Sequence, residues 1–456
     1  MRYVSTRGAA APLDFREVTL AGLAPDGGLY LPEAWPTVDV AALRGLSYVD
    51  TAVAVMTPFV GDTLSANELT ALCTRAYGRF AHAAVTPLRQ LDHDQWLLEL
   101  FHGPTLAFKD VALQLLGLLF ERFLTGTDRR LTIVGATSGD TGSAAIDAVA
   151  GREGVDIVML HPEGRVSDVQ RRQMTTVLAP NVHNVALTGA SFDDAQALVK
   201  AMFNDRSFAD ALGLAAVNSI NWARLMAQVV YYFYATARLG RAVFSVPTGN
   251  FGDVFAGYVA AKMGAPVERL VVATNVNDIL ARALTTGDYS KGRVEQTATP
   301  SMDIQVSSNF ERLLFEANGR DGAALARQMA EFEASGAMRL TNAQRAAAAP
   351  LFAATRVDAD GMAMAMRWAC EQTGEVVDPH TAIALAAARE VDAGLPVVTL
   401  ATAHPAKFPD AVERATGVRP ALPARVGDLF AREERCTTLP ATYAAVSDFV
   451  AKAVAR

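Results

Sequence analysis

The chain has 456 residues, of which 51% are hydrophobic and 20% charged, and it carries a net charge of −7. At roughly 150 residues per domain this allows about three domain-sized units. It excludes a disordered chain, a collagen-like chain and a disulfide-stapled miniprotein. The acidic balance, without any dense Lys/Arg run, argues against a nucleic-acid or anionic-membrane surface. Cys73, Cys370 and Cys436 are far apart and form no CxxC, so neither a zinc knuckle nor a redox pair is indicated. The opening MRYVSTRGAAAPLDF has no apolar signal core. No apolar run reaches the ~18–20 residues that span a bilayer. The expected setting is the cytoplasm, with neither a nucleic acid nor a membrane as partner.

Residues 1–95 show no clear α/β alternation. They carry Gly/Pro turns (Pro25-Asp26-Gly27-Gly28) and two helical patterns, near 47–60 and 65–78, and read as a separate N-terminal region. From about residue 96, strand-length apolar runs alternate with helical periodicity. Residues 131–137 (LTIVGAT) predict a strand, with a helix from Ser143. Strands follow at 156–160 and 181–187, with helices from Ser167 and Phe192. A short apolar run ends at Val217, ahead of a helix over 222–238. Strands at 242–246 and 270–274 bracket a helix from Val254. Residues 285–310 read as irregular, 311–393 as mostly helical, 396–402 as a last buried strand and 440–454 as a helix. This rhythm predicts an α/β fold with parallel sheets covered by helices. The expected division is 1–95, then a smaller α/β lobe at 96–230, then a larger lobe at 231–456.

Ligands of open α/β sheets bind outside the carboxyl ends of the strands. Three segments sit there. Ser138, Gly139, Asp140, Thr141 and Gly142 follow the 131–137 strand. Gly249, Asn250, Phe251, Gly252 and Asp253 follow the 242–246 strand. Small residues in both would let backbone N–H groups and a helix N-terminus meet an anion, although each also fits an ordinary capped turn. Neither matches a P-loop or a dinucleotide fingerprint. Thr402, in Ala401-Thr402-Ala403-His404-Pro405, places a hydroxyl at a third strand end, where His404 fits a structural role or a base.

Lys109 falls in the helical row of Leu113, Leu116 and Phe120, opposite a polar stripe of Asp110, Gln114, Gly117 and Glu121. A lysine there either snorkels or is buried as an amine nucleophile or base. Asn218, Ser219, Asn221 and Arg224 open a helix with polar donors, and Arg165 and Ser167 lie at a similar turn-to-helix junction. Both fit an anion site or a plain N-cap. The aromatic run Tyr231-Tyr232-Phe233-Tyr234 and the Met362, Met364, Met366 series read as packing, and the seven histidines form no metal-ligand spacing.

Together these segments resemble the threonine synthase family, in its long bacterial and fungal form. The resemblance rests on APDGGLYLP at 24–32, ELFHGPTLAFKD at 99–110, ATSGDTGSAA at 136–145 and VNSINWARL at 217–225. It continues through SVPTGNFGDVFAGY at 245–258, ATNVND at 273–278 and TAHPAKF at 402–408. Ala401 and Thr248 depart from the usual Gly and Ser while keeping the essential groups.

The resemblance implies a fold type II pyridoxal-phosphate enzyme, similar to the tryptophan synthase β subunit, with two open parallel-sheet lobes and the cofactor between them. It implies a Schiff base at Lys109, a cofactor-phosphate cup at Gly249, Asn250, Phe251, Gly252 and Asp253, and a pyridine-nitrogen contact at Thr402. It further implies a substrate-carboxylate loop at Ser138–Gly142. Asn218, Ser219, Asn221 and Arg224, with Arg165 and Ser167, are the candidates for the substrate phosphate. The implied substrate is O-phospho-L-homoserine, the product L-threonine, the metal none, and the assembly a monomer or small homo-oligomer. A dehydratase, a β-replacement synthase or a non-catalytic binding protein on the same fold are the alternatives.

Overall fold

The buried runs form strands in the order expected, and they sort into two largely parallel sheets, with Tyr3–Ser5 and Tyr30–Pro32 forming a small antiparallel pair apart from them. The computed structural model describes residues 1–215 and 217–455. In chain order its strands are β1 (Tyr3–Ser5), β2 (Tyr30–Pro32), β3 (Leu88–Gln90), β4 (Gln95–Glu99), β5 (Leu131–Ala136), β6 (Val155–Pro162) and β7 (Val182–Thr188). There follow β8 (Leu214–Ala215), β9 (Ala242–Pro247), β10 (Val267–Thr274), β11 (Phe352–Arg356), β12 (Val397–Ala401) and β13 (Thr437–Pro440). The chain divides into two compact units, residues 1–103 with 219–420 and residues 104–218 with 421–456.

The first unit holds a six-stranded sheet in the order β11-β10-β9-β12-β4-β3. It is parallel apart from the antiparallel β3–β4 pair at its edge. Val243, Val271, Ala273 and Val397 of this sheet pack on Ile383, Ala384 and Ala387 of the helix Pro379–Ala388. The N-terminal residues belong to this unit. Tyr3 donates to the Phe59 carbonyl at 2.7 Å and packs against Trp222 at a tilt of 49°, with ring centroids 5.9 Å apart. Trp222 opens the helix Trp222–Leu239, so the N-terminal layer supports one of the segments singled out above.

The second unit holds an all-parallel five-stranded sheet, β13-β7-β6-β5-β8. Strand β6 is buried at every position, as a parallel strand covered on both faces must be. Val446 and Val450 of the last helix, Tyr443–Val454, join the core formed by Val134, Val158, Val185 and Met202.

This division differs from the sequence-based one. The N-terminal region is not a separate body, the smaller lobe spans 104–218 instead of 96–230, and 421–456 leaves the larger lobe to complete the smaller. The physical reason is pairing. Strand β4 pairs with β12, and β13 pairs with β7. The helix expected from Ser143 begins at Asp140, the one from Val254 begins at Gly252, and the 311–393 stretch contains strand β11. Of the short apolar run ending at Val217, β8 is present, while Ala216 lies outside the described residues.

Candidate active site

In the second unit, Lys109 is the first residue of the helix Lys109–Leu124 and is 8% exposed. A lysine at the positive end of a helix gains nothing from the helix dipole. Its Nζ lies 3.6 Å from Asp140 Oδ2 and 5.0 Å from the centre of the Phe108 ring. Asp140 is itself buried, and its Oδ1 accepts from Gln170 Nε2 at 2.8 Å. The polar stripe of this helix is turned inward, not toward solvent. Asp110 accepts from the Thr105 N–H and hydroxyl, both at 2.7 Å, and Gln114 donates to Asp147 at 2.7 Å. Gly117 is a close-approach position, since an added Cβ would stand 2.2 Å from the Ala148 carbonyl oxygen of the helix Asp140–Val149.

The Ser138–Gly142 loop is built around Thr137. Its hydroxyl oxygen accepts from the N–H groups of Gly139, at 2.9 Å, and Gly142, at 2.8 Å. Those two donors are therefore spent inside the loop. Gly139 has φ +132, and a Cβ there would meet the Gln170 amide at 2.5 Å. Asp140 faces Lys109 and Gln170, which leaves Ser138 and Thr141 as the residues available to a carboxylate. Ser167 caps the helix Asp168–Thr175, and Arg165 is exposed just before it.

In the first unit, the chain leaves β9 through Gly249 and Asn250 and enters the helix Gly252–Lys262. Phe251 takes a left-handed conformation, φ +62, and its ring packs edge-on against Phe310 at 5.2 Å. A Cβ on Gly249 would lie 2.5 Å from the Ser301 carbonyl oxygen. The N–H groups of Asn250 and Phe251 have no acceptor among the described residues. A tight glycine cradle with unspent N–H groups at a helix N-terminus fits a phosphate.

Asp253 joins this cradle only through its backbone. Its buried carboxyl faces Tyr231, whose hydroxyl donates to Oδ1, and Tyr232, whose hydroxyl lies 3.2 Å from Oδ1. Oδ2 has no partner. Burial pushes the carboxyl up to about 7, and the two tyrosine hydrogen bonds only partly oppose this. Sequence reading left the aromatic run as packing. The signal it offered was two adjacent phenol groups that needed partners once buried.

The folded state thus holds the Asp253 proton more tightly than the unfolded chain does. The resulting stability is complete below about pH 4 and is lost as pH rises toward about 7. It amounts to at most about 4 kcal/mol. The Asp253→Asn variant is expected to lack this component. Denaturant unfolding between pH 4 and 7.5 should show wild-type stability falling relative to the variant; parallel curves would contradict it.

Thr402 follows β12 and is nearly buried, with its N–H donating to Thr381 Oγ1 at 3.2 Å. Thr381 in turn donates to Asp378, the buried cap of the helix Pro379–Ala388. The Thr402 hydroxyl has no partner among the described residues. His404 Nδ1 accepts from the Ala406 N–H at 3.2 Å, which caps the following turn.

Asn221 and Arg224 behave differently from each other. Asn221 is a buried cap whose Oδ1 accepts from the Ala223 N–H at 2.9 Å and whose Nδ2 donates to the Thr19 carbonyl at 2.9 Å. Its side chain is committed to structure. Arg224 is 4% exposed, and its Nε and Nη1 have no partner among the described residues. Burial lowers the guanidinium to about 10, so it stays charged at neutral pH. Ser219 Oγ lies 3.4 Å from Ser308 Oγ. Asn218 lies in the second unit, with Arg165 and Ser167, and Ser219, Asn221 and Arg224 lie in the first.

The chain matches three families in order along its length. Residues 2–77 match the threonine synthase N terminus, 80–354 the pyridoxal-phosphate dependent enzymes, and 381–450 the threonine synthase C-terminal region. A PLP-bound threonine synthase from Brucella melitensis superposes with a TM-score of 0.97 at 52% identity, covering 100% of both chains. The yeast threonine synthase structure gives a TM-score of 0.93 at 38% identity, covering 99% of this chain and 98% of that one. Fold and site therefore define a pyridoxal-phosphate-dependent enzyme of fold type II. The Pseudomonas aeruginosa threonine synthase is 53% identical over 99% of this chain and 98% of its own length. The chain belongs to the threonine synthase family.

Proposed function

We propose that the chain converts O-phospho-L-homoserine and water to L-threonine and phosphate, with Lys109 as its catalytic amine and Arg224 as the principal ligand of the substrate phosphate. The observation that carries the activity is the end-to-end match to threonine synthases across all three family segments. The residue roles rest on the geometry described above.

The phosphate leaves Cγ while the hydroxyl arrives on Cβ, so protons must leave both Cα and Cβ. Bound pyridoxal phosphate supplies the electron sink that makes both removals feasible. Lys109 would hold it through the amine, the Gly249–Asp253 cradle would take its phosphate through backbone N–H groups, and Thr402 would meet its ring nitrogen. Lys109 Nζ is the base that takes the protons from Cα and then Cβ, and it returns one at Cγ once the phosphate has left and one at Cα after water has added at Cβ. Asp140, 3.6 Å away, gives the proton-loaded amine a partner, and Gln170 fixes the Asp140 carboxylate. Ser138 and Thr141 would hold the substrate carboxylate. Arg224, assisted by Ser219, binds the substrate phosphate and stabilises the charge that develops as it departs. Asn221 positions the helix that carries Arg224. Arg165 and Asn218 are assigned to the rim of the substrate site, and Ser167 to the cap that fixes it.

The enzyme works in the cytoplasm on small molecules, without nucleic acid or membrane, as a monomer or small homo-oligomer. The net charge of −7 disfavours a nucleic-acid partner, and no described helix is long and apolar enough to cross a membrane. One assay tests the activity. Protein reconstituted with pyridoxal phosphate receives O-phospho-L-homoserine, and phosphate and organic product are followed together. Threonine in equal amount to phosphate is the expected result. A 2-oxo acid in place of threonine would indicate elimination without water addition, and the reading would fall.

A further inference from the structure

The segment just before the helix Phe310–Ala317 reaches across to the cofactor-phosphate cradle, and sequence reading gave it no role. Asn309 is fully buried. Its backbone N–H, at 3.1 Å, and its Nδ2, at 2.9 Å, both donate to the Asn250 carbonyl. Nδ2 also donates to the Ser219 carbonyl at 3.2 Å. The orientation of this amide is set by chemistry, because Oδ1 accepts from the buried Arg312 guanidinium while Nδ2 faces two carbonyl oxygens. Arg312 Nη2 also donates to the Ile220 carbonyl at 2.6 Å and the Tyr30 carbonyl at 2.7 Å. Two residues earlier in sequence, the Ser307 hydroxyl donates to the Gly249 carbonyl at 2.7 Å.

Every peptide bond described is trans, so a carbonyl and the N–H of the next residue point in opposite directions. Pinning the Gly249 carbonyl therefore aims the Asn250 N–H the other way, and pinning the Asn250 carbonyl does the same for Phe251. Both N–H groups lack an acceptor among the described residues, as do those of Gly252 and Asp253 that follow them in the cradle. Phe251 holds a left-handed backbone that a side-chain-bearing residue adopts only when its surroundings impose it. The Asn309 bonds and the Phe310 ring hold it there. Gly252 is what lets Asn309 lie so close, since a Cβ at that position would stand 3.3 Å from Asn309 Nδ2.

We propose that Asn309 is a positioning residue for the cofactor phosphate: with Ser307 it turns two peptide planes so that their N–H groups face the anion. The inference rests on reading Gly249–Asp253 as the phosphate cup. The Ser219 contact ties the same clamp to the segment assigned to the substrate phosphate.

The test compares affinity for pyridoxal phosphate with affinity for pyridoxal, which lacks the phosphate. Apoprotein is titrated with each and followed by visible absorbance. Asn309→Asp keeps the size and the Arg312 contact but removes both Nδ2 donors. The preference for the phosphorylated form is expected to fall about tenfold, with pyridoxal affinity nearly unchanged. Ser307→Ala removes one hydroxyl with little risk to folding, and a loss of about threefold is expected. Gly249→Ala, which forces a methyl toward Ser301, is the control for the cup and should abolish the preference. An equal loss of both affinities in Asn309→Asp would mean a purely structural role and overturn the proposal. So would an intact preference in both clamp variants while Gly249→Ala loses it, and there the cup reading would stand. An intact preference in Gly249→Ala would remove the cup reading, and the clamp with it.

Discussion

Replacing Lys109 with alanine is expected to reduce threonine formation by about a thousandfold or more, because covalent cofactor attachment and proton transfer are lost together. The same variant should remain folded. Alanine is a better helix former than lysine, and the substitution removes a cation from the positive end of a helix. The Asp140 carboxylate it leaves behind keeps its hydrogen bond to Gln170. Loss of activity with an unchanged unfolding transition is thus the expected pair of results. An added small primary amine should recover part of the rate, since it can replace the missing base but not the missing tether. Turnover near wild type would sink the assignment of Lys109.

The two sheets differ from the sequence-based expectation where pairing is long-range. Strands β5, β6, β7, β9 and β10 are buried runs with their own helices, and apolar patterning finds such elements. Strand β13 is four residues long, ends in proline and pairs with β7 from the far end of the chain. Nothing local marks it, so the return of 421–456 to the smaller unit was not visible. Strand β4 was hidden in the same way, because its partner β12 lies about 300 residues later.

The site was legible where chemistry demands a special residue in a special local setting. Lys109 on an apolar helical row is such a case, and so is a pair of glycines around Asn250 and Phe251. It was not legible where an ordinary residue acts through a distant contact. Asn309 lies in the stretch read as irregular and stands at the N-cap position of the helix Phe310–Ala317, yet its side chain makes no cap hydrogen bond and donates to the Asn250 and Ser219 carbonyls instead. Tyr231 and Tyr232 look like core, yet both meet Asp253. Asn221 looked like a ligand and is a cap, because its two polar atoms find partners at Ala223 and Thr19.

Arg224 gives the second large expected effect, and its sign differs between binding and stability. In the free protein this guanidinium is buried, and its Nε and Nη1 have no partner among the described residues. It also stands in the first turn of the helix Trp222–Leu239, where a cation opposes the dipole. Such an arrangement costs stability unless an anion arrives to complete it. The Arg224→Met variant keeps much of the volume and removes the charge. Its unfolding midpoint is expected to equal or exceed that of wild type. Its KM for O-phospho-L-homoserine should rise by about 10- to 100-fold, as two charge-assisted hydrogen bonds of ~1.5–3 kcal/mol each are lost in part or whole. Binding of pyridoxal phosphate should change little, and so should binding of an amino-acid analogue of the same skeleton without the phosphate. Tm, KM and cofactor affinity measured on one preparation separate the cases. A lower Tm with an unchanged KM would make Arg224 a structural residue. A loss of cofactor affinity that matches the rise in KM would move it to the other phosphate. A rise in KM in a protein at least as stable as wild type would identify a cation that the fold keeps unpaired for the substrate.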